Sequence, residues 1–196
     1  MDDTLVFLDA GFLSKLSKYF GSGNYLRYNL VSFAMNLAKK QNLSCKKIFY
    51  YTAAPFQSDK PSKEESERYR KYEKFVRKLS KDELISIKEG RCQRLKINGK
   101  FQFCQKGVDS LMVIDLMTTP VKYPSIKKII IIACDSDFVP VIKELEKMRV
   151  RTILYTYYER KDRNSIFSTS NELIKSVYKY IMLSKQDFDL AKLNKT

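Results

Sequence analysis

The chain has no histidine and no tryptophan among its 196 residues. Acid–base and metal chemistry must therefore be done without imidazole. Four cysteines, Cys45, Cys92, Cys104 and Cys134, show no CxxC spacing. With no histidine to complete a set, a zinc site is excluded and reduced thiols are expected. Cys92 and Cys104 bracket a hairpin, but no bridge is expected between them. No stretch reaches the ~18 apolar residues of a membrane span. The first residues, Met1–Asp2–Asp3, are acidic where a secretion signal is basic. A cytoplasmic protein is expected, with no membrane partner. Neither standard glycine-rich phosphate loop is present. No internal repeat or low-complexity linker divides the chain.

What remains is apolar enough to fold and strongly basic. Hydrophobic residues make up 44%, with 12 Phe and 13 Tyr, and the length suits a single domain over 1–196. The net charge of +15 predicts attraction to a polyanion, nucleic acid before a membrane surface. The bland alternative is a soluble protein that happens to be basic.

Apolar runs and amphipathic segments alternate. Strands are expected at 4–9, 47–52, 129–132 and 152–157. Helices are expected after the first strand, from Leu30 behind an Asn29 cap, over 106–118 and 138–148, and from Ser170 or Asn171 through Met182. This βαβ alternation predicts an α/β domain with a parallel sheet covered on both faces. Right-handed crossovers give the order 2-1-3-4 for these four strands.

Residues 56–105 read as an insertion of a basic helix and a hairpin. Between 60 and 106, 15 Lys and Arg stand against 7 Asp and Glu. A helix over 63–81 places Tyr69, Tyr72, Phe75, Val76 and Leu79 on one face. Arg70, Lys74, Arg77, Lys78 and Lys81 lie opposite. Asn98–Gly99 is a type I′ turn signal joining two short strands. The basic stripe reads equally as a solvated face and as a phosphate-contacting arm.

The carboxylates carry the chemistry. Ile129–Ile132 and Ala133 lead into Cys134–Asp135–Ser136–Asp137–Phe138. The first strand ends in Asp9, and Asp109 opens a helix after Lys106–Gly107–Val108. With strands one and three as neighbours, all these acids reach one sheet edge, at the switch point where open α/β sheets bind ligands. An all-oxygen donor set fits Mg²⁺ or Mn²⁺. Each acid also has a plainer role: Asp9 and Asp135 as helix caps, Asp109 as a first-turn acid favoured by the helix dipole. Asp115 shares the apolar stripe of Val108, Leu111 and Met112. It either reaches the site from behind or pairs with a buried cation. A haloacid-dehalogenase reading fails because Ala10 and Gly11 follow Asp9. A Toprim reading leaves Lys106–Asp109 unexplained.

Four stretches, VFLDAGFL (6–13), IFYYTAAP (48–55), KGVDSLMVIDL (106–116) and ACDSDFVPVIKELE (133–146), resemble the NYN domain family. The likeness is to its LabA-like branch, within the PIN-like nuclease superfamily. The tail SNELIKSVYKYI (170–181) resembles the family's closing helix. The resemblance implies a three-layer, flavodoxin-like α/β domain with an Asp cluster that binds Mg²⁺ or Mn²⁺ and cleaves RNA. Carried over, the cluster is Asp9, Asp109, Asp135 and Asp137, with Asp115 as a fifth member. The first motif departs from the family. Ala10, Gly11 and Phe12 follow Asp9 where Gly and then Asn are common, unless Ser14 or Asn24 supplies the polar group.

The expectation is thus a metal-dependent endoribonuclease. Asp9, Asp109 and Asp135 would hold the metal, and Asp137 would hold it or orient the attacking water. Ser136 would bind a phosphate oxygen, and Lys106 would do the same or offset the acids. The 63–81 stripe with Arg151, Arg160, Lys161 and Arg163 would hold the RNA backbone. The rivals are a non-catalytic RNA-binding module that kept the acidic pocket and a nuclease acting on DNA. A homodimer stays open.

Overall fold

A computed structural model describes residues 1–159, 167 and 170–193. Its centre is β1 (Asp2–Asp9), sandwiched in a parallel ladder between β2 (Leu43–Ala53) and a third core strand, Lys128–Ile132. Side chains alternate along β1. Val6 and Leu8 enter one core, Leu5 and Phe7 the other. All four are fully buried, as a strand covered on both faces requires.

The first core is closed by α1 (Ala10–Phe20), α2 (Leu30–Lys39) and a short C-terminal helix, Lys185–Asp189. Asn29 caps α2, its side-chain oxygen accepting from Ser32 N at 2.9 Å. The basic helix follows as α3 (Lys63–Leu79), started by a Ser62–Glu65 capping box. It buries no residue completely and leans on the sheet through Phe75 against Tyr50.

Beyond α3, β3 (Ile85–Ile97) and β4 (Lys100–Lys106) form the hairpin, and α4 (Val108–Lys122) returns along the second core. The strand Lys128–Ile132 is β5. A 3₁₀ turn (Ser136–Phe138), α5 (Val139–Lys147), β6 (Arg151–Thr156), α6 (Asn171–Ser176) and β7 (Lys179–Met182) complete the chain before the Lys185–Asp189 helix, α7. Among the described residues the sheet has seven strands in the order β4-β3-β2-β1-β5-β6-β7. Every pairing is parallel except β3 with β4.

Two expectations change. The hairpin's first strand is not short: β3 runs for 13 residues and begins within the main sheet. Ile85–Gly90 first pairs parallel with β2, because Ile85 and Ile87 have apolar side chains to pack against the first core. Only then does β3 continue into the antiparallel hairpin. The expected helix through Met182 also stops at Ser176. Val177 is extended (φ −96°, ψ 150°), and Lys179–Met182 pairs with β6 as a seventh strand. Cys92 and Cys104 are free. Cys92 stands opposite Gln105, and Cys104 opposite Gln93, so the two thiols project from opposite faces of the hairpin.

One glycine fixes how the hairpin returns to the sheet. A Cβ on Gly90 would lie 2.5 Å from the Lys106 carbonyl oxygen and 2.7 Å from Val108 Cγ2. Only a bare backbone lets the Lys106–Val108 turn pass this closely. Gly107 makes that turn at φ +80°, a conformation that favours glycine. Gly90→Ala should therefore act like overpacking, at about 1–3 kcal/mol. For a domain of this size that lowers Tm by roughly 2–12 °C. A calorimetric scan superimposable on wild type would show that the contact does not constrain the turn.

Candidate active site at the carboxyl edge of the sheet

The β1–β5 register ends at Leu8 opposite Ile132, so the next residues leave the sheet side by side. β1 exits through Asp9 and β5 through Ala133, Cys134 and Asp135. Both acids are used at once by the helices that follow. Asp9 Oδ1 accepts from Gly11 N at 2.8 Å and Phe12 N at 3.2 Å. Asp135 Oδ1 accepts from Asp137 N at 2.9 Å. The capping role is thus real for both, and it uses one oxygen of each carboxylate. Among the described residues, no hydrogen bond engages the second oxygen of either.

Asp109 arrives from the other direction, in the first turn of α4, which has no side-chain cap. It is exposed, as are Asp135, Ser136 and Asp137, while Asp9 is half-buried. Burial raises the Asp9 carboxyl above the usual Asp range, against its two cap bonds; Asp109 adds to the rise and Lys15 opposes it. Asp109 is also raised, first by desolvation and then by the negative charges of Asp135 and Asp137. The four acids form one electrostatic group in which Asp109 links the two strand exits. Cys134 lies between them, and burial with Asp9 and Asp135 nearby pushes its thiol up to about 11. It stays a neutral thiol rather than a soft metal ligand.

The group is not drawn into a tight cage. Among the described residues, no three carboxyl or thiol side chains are gathered closely enough to hold an ion ready-made. Uncompensated carboxylates repel, and two of the four are tied to their own helix starts. The donor set still suits a hard cation: all oxygen, with free lone pairs, and with raised carboxyl pKa values that a positive charge would relieve.

Other expected residues fall in different places. Asp115 faces away from this group. Its Oδ2 accepts from Tyr51 Oη at 3.0 Å, and Lys88 and Lys122 lie at 3.7 Å. Its stripe position on α4 is explained by these partners. Arg151 begins β6, at the amino ends of the strands, where its guanidinium stacks 4.6 Å from the Tyr178 ring. That is the sheet edge opposite the acids. Arg70, Lys74, Arg77, Lys78 and Lys81 are all exposed along or just beyond α3. Lys106 ends β4, two residues before the first turn of α4. Arg160, Lys161 and Arg163 lie outside the described residues.

Phe12 is a core residue, 3% exposed and edge-on to Phe167 at 6.4 Å. Asn24 lies past the far end of α1. Ser14, by contrast, lines a cleft of about 290 Å³ beside the Asp9 cap, with Gly11, Thr52, Tyr72 and Gln105. Sequence reading missed Gln105 and Lys15. Gln105 carries no motif signal. Lys15 stands on the turn of α1 after the Asp9 cap, a spacing that could have flagged it.

A family model, the NYN domain, matches residues 4–184. The chain belongs to the NYN domain family, whose members are generally nucleases of the PIN-like type and typically use divalent metals. Among solved structures it is similar to a protein of unknown function from Vibrio parahaemolyticus. That similarity covers 95% of each chain at 14% identity and a TM-score of 0.56, a likeness of fold. No curated protein matches. Among the described residues, no helix is long and apolar enough to cross a membrane.

Asp9 and Asp109 are harder to ionise in the folded chain than at the unfolded value of 3.8. Their contribution to stability is therefore full below that value and is lost as pH climbs through the raised folded values. Asp109→Asn, neutral at every pH, should melt above wild type at neutral pH in EDTA. The gap should close as pH falls toward 3.8. A purely helix-dipole role for Asp109 requires the reverse, a lower Tm for the Asn variant at neutral pH.

Proposed function

We propose that this NYN domain is a metal-dependent endoribonuclease of the LabA-like branch, using Mg²⁺ or Mn²⁺. The observation that carries the reading is the side-by-side exit of β1 and β5, which puts Asp9 and Asp135 at one sheet edge within electrostatic reach of Asp109. Asp9, Asp109 and Asp135 would hold the cation through their uncapped oxygens, with Asp137 beside them. When bound, such a cation supplies Lewis acidity and offsets charge at the scissile phosphate. The chain's own groups do the rest. The caps hold Asp9 and Asp135 in fixed rotamers, so the site is oriented before substrate arrives. Asp137 would accept a hydrogen bond from the attacking water and so aim it. Ser136 donates to a phosphate oxygen, while Lys15 and Lys106 offset negative charge. Ser14 takes the place of the polar group that Phe12 gives up to the core.

The basic insertion would hold the RNA backbone outside this edge. Its helix buries no residue completely, although it is part of an otherwise well-packed domain. This suits a surface built for contact.

Cleavage of labelled RNA should vanish in EDTA and return with Mn²⁺ or Mg²⁺. Asp9→Asn and Asp135→Asn keep an oxygen for the cap, so both should fold normally and bind RNA but cut none. Cleavage that survives both substitutions would remove these acids from the chemistry. A DNA substrate cut as well as RNA would broaden the substrate class. One observation favours a second reading, an RNA-binding module that retains the acids: no three of them are pre-gathered around an ion site. Tight RNA binding with no cutting under any divalent metal would select it.

The salt dependence of binding tests the insertion. Arg70→Ala/Lys74→Ala/Lys78→Ala should weaken binding to all sequences alike. Each lost phosphate contact should reduce the log–log salt slope by about 0.7 for single strands. An unchanged slope would make the α3 stripe an ordinary solvated face.

A further inference from the structure

We propose that one face of the β3–β4 hairpin is a base-stacking platform that selects single-stranded nucleic acid and leads it to the carboxylate edge. It rests on the nucleic-acid reading above and adds a site and a selectivity to it.

The placement comes from the strand register. β2 ends at Ala53, whose partner on β3 is Gly90. Among the described residues, Arg91–Ile97 therefore runs on past the carboxyl edge with only β4 as a paired strand. Seven residues at ~3.3 Å each extend roughly 23 Å. Alternation places Cys92, Arg94 and Lys96 on one face, opposite Gln105, Phe103 and Phe101. That face is aromatic and cationic together. Phe101 is 59% exposed and Phe103 51%. The Arg94 guanidinium lies 4.6 Å from the Phe101 ring centre and 4.9 Å from that of Phe56. Phe56 in turn packs on Phe103 at 5.7 Å. The arginine is thereby held against the rings; Glu65 of the α3 capping box is within electrostatic reach, but no ion pair to Arg94 forms among the described residues.

The charge fits a polyanion. β3 and β4 carry six cations, and Glu89 is their one acid. Phe101 and Phe103 are two residues apart, about 6.8 Å, twice the ~3.4 Å rise per stacked nucleotide. A base can thus lie on each ring once the strand is unstacked. Paired bases have their faces covered and cannot do this. The same face ends at Gln105, which lines the cleft with Gly11 and Ser14 beside the Asp9 cap. A strand lying on the rings is therefore directed to the acids.

Binding in EDTA tests this without any cleavage. The full chain is titrated into labelled single-stranded RNA, single-stranded DNA of the same sequence, and duplex RNA. Phe101→Ala/Phe103→Ala should lose about tenfold or more in affinity for both single strands. Duplex affinity should be unchanged. The Tm should also hold, since both rings are exposed. Phe101→Leu/Phe103→Leu keeps apolar bulk without a π-face and should lose as much. The natural chain has no tryptophan. Phe101→Trp therefore gives a single reporter at the platform, which should keep affinity and lose emission on single strands but not on duplex. Wild-type affinity in the Ala or Leu variant, a loss confined to RNA, or unchanged emission with single strands would each overturn the proposal. Failure of wild type to cut RNA with any metal would end the nuclease reading and leave these binding results standing.

Discussion

The site depends on the side-by-side parallel pairing of β1 and β5. Both strands are buried on both faces, so their backbones are held by ladders and their side chains by two cores. Parallel strands end at the same edge, and here both ends are followed by an acid. Folding the sheet therefore brings like charges together whether or not a cation is present. Burial is the larger cause of the raised Asp9 and Asp109 carboxyls, and the neighbouring acids add to it. A fold selected for stability alone would not place Asp109 where Asp135 and Asp137 oppose its ionisation. An arrangement that strains the apo protein and that a divalent ion would relax has the energetics of a binding site.

Asp9 and Asp135 are caps and candidate ligands together, and the two roles do not compete. A carboxylate has two oxygens. The cap takes one and fixes the rotamer, so the other is aimed without further ordering. Asp109 has no such tether. Its position comes from backbone alone: Gly90 lets the return turn pass close to β3, and Gly107 bends it into α4. The hairpin is thus a structural device as well as a surface. By running out past the edge and back, it delivers a third acid to a place that β1 and β5 cannot supply.

The architecture was legible wherever one signal dominated. Ile129–Ile132 has no reading but a buried strand, and the Asn29 cap with its i, i+3, i+4 stripe has none but a helix. The failures are places where two signals overlapped. Leu173, Ile174, Val177 and Ile181 fit a helical stripe, yet the β-branched and aromatic residues after Ser176 pair with β6 instead, because that edge was open. Asp115 is a different case: its sequence position left two roles open, and α4 directs it to Tyr51, Lys88 and Lys122, the cation-pairing one. Arg151 reads from sequence as one more cation. Only the strand direction shows that it faces the edge away from the acids. Gln105 has no local signature at all, since it matters only through the hairpin's alternation.

Net charge alone would not guide a polyanion to a cluster of aspartates. A uniform excess of +15 attracts nucleic acid everywhere, and the carboxylate edge is locally the least attractive part of the surface. Cations and rings must therefore hold the strand beside the acids rather than on them. The insertion meets that requirement because its two parts flank the cleft next to Asp9. Tyr72 and Phe75 on α3 line one wall, and Gln105 on β4 lines another. Phosphates held by the exposed cations of α3 and bases held by the hairpin rings would leave a short span of backbone over the edge. Lys15 acts on Asp9 there. Specificity for unpaired strands then follows from the walls of the cleft.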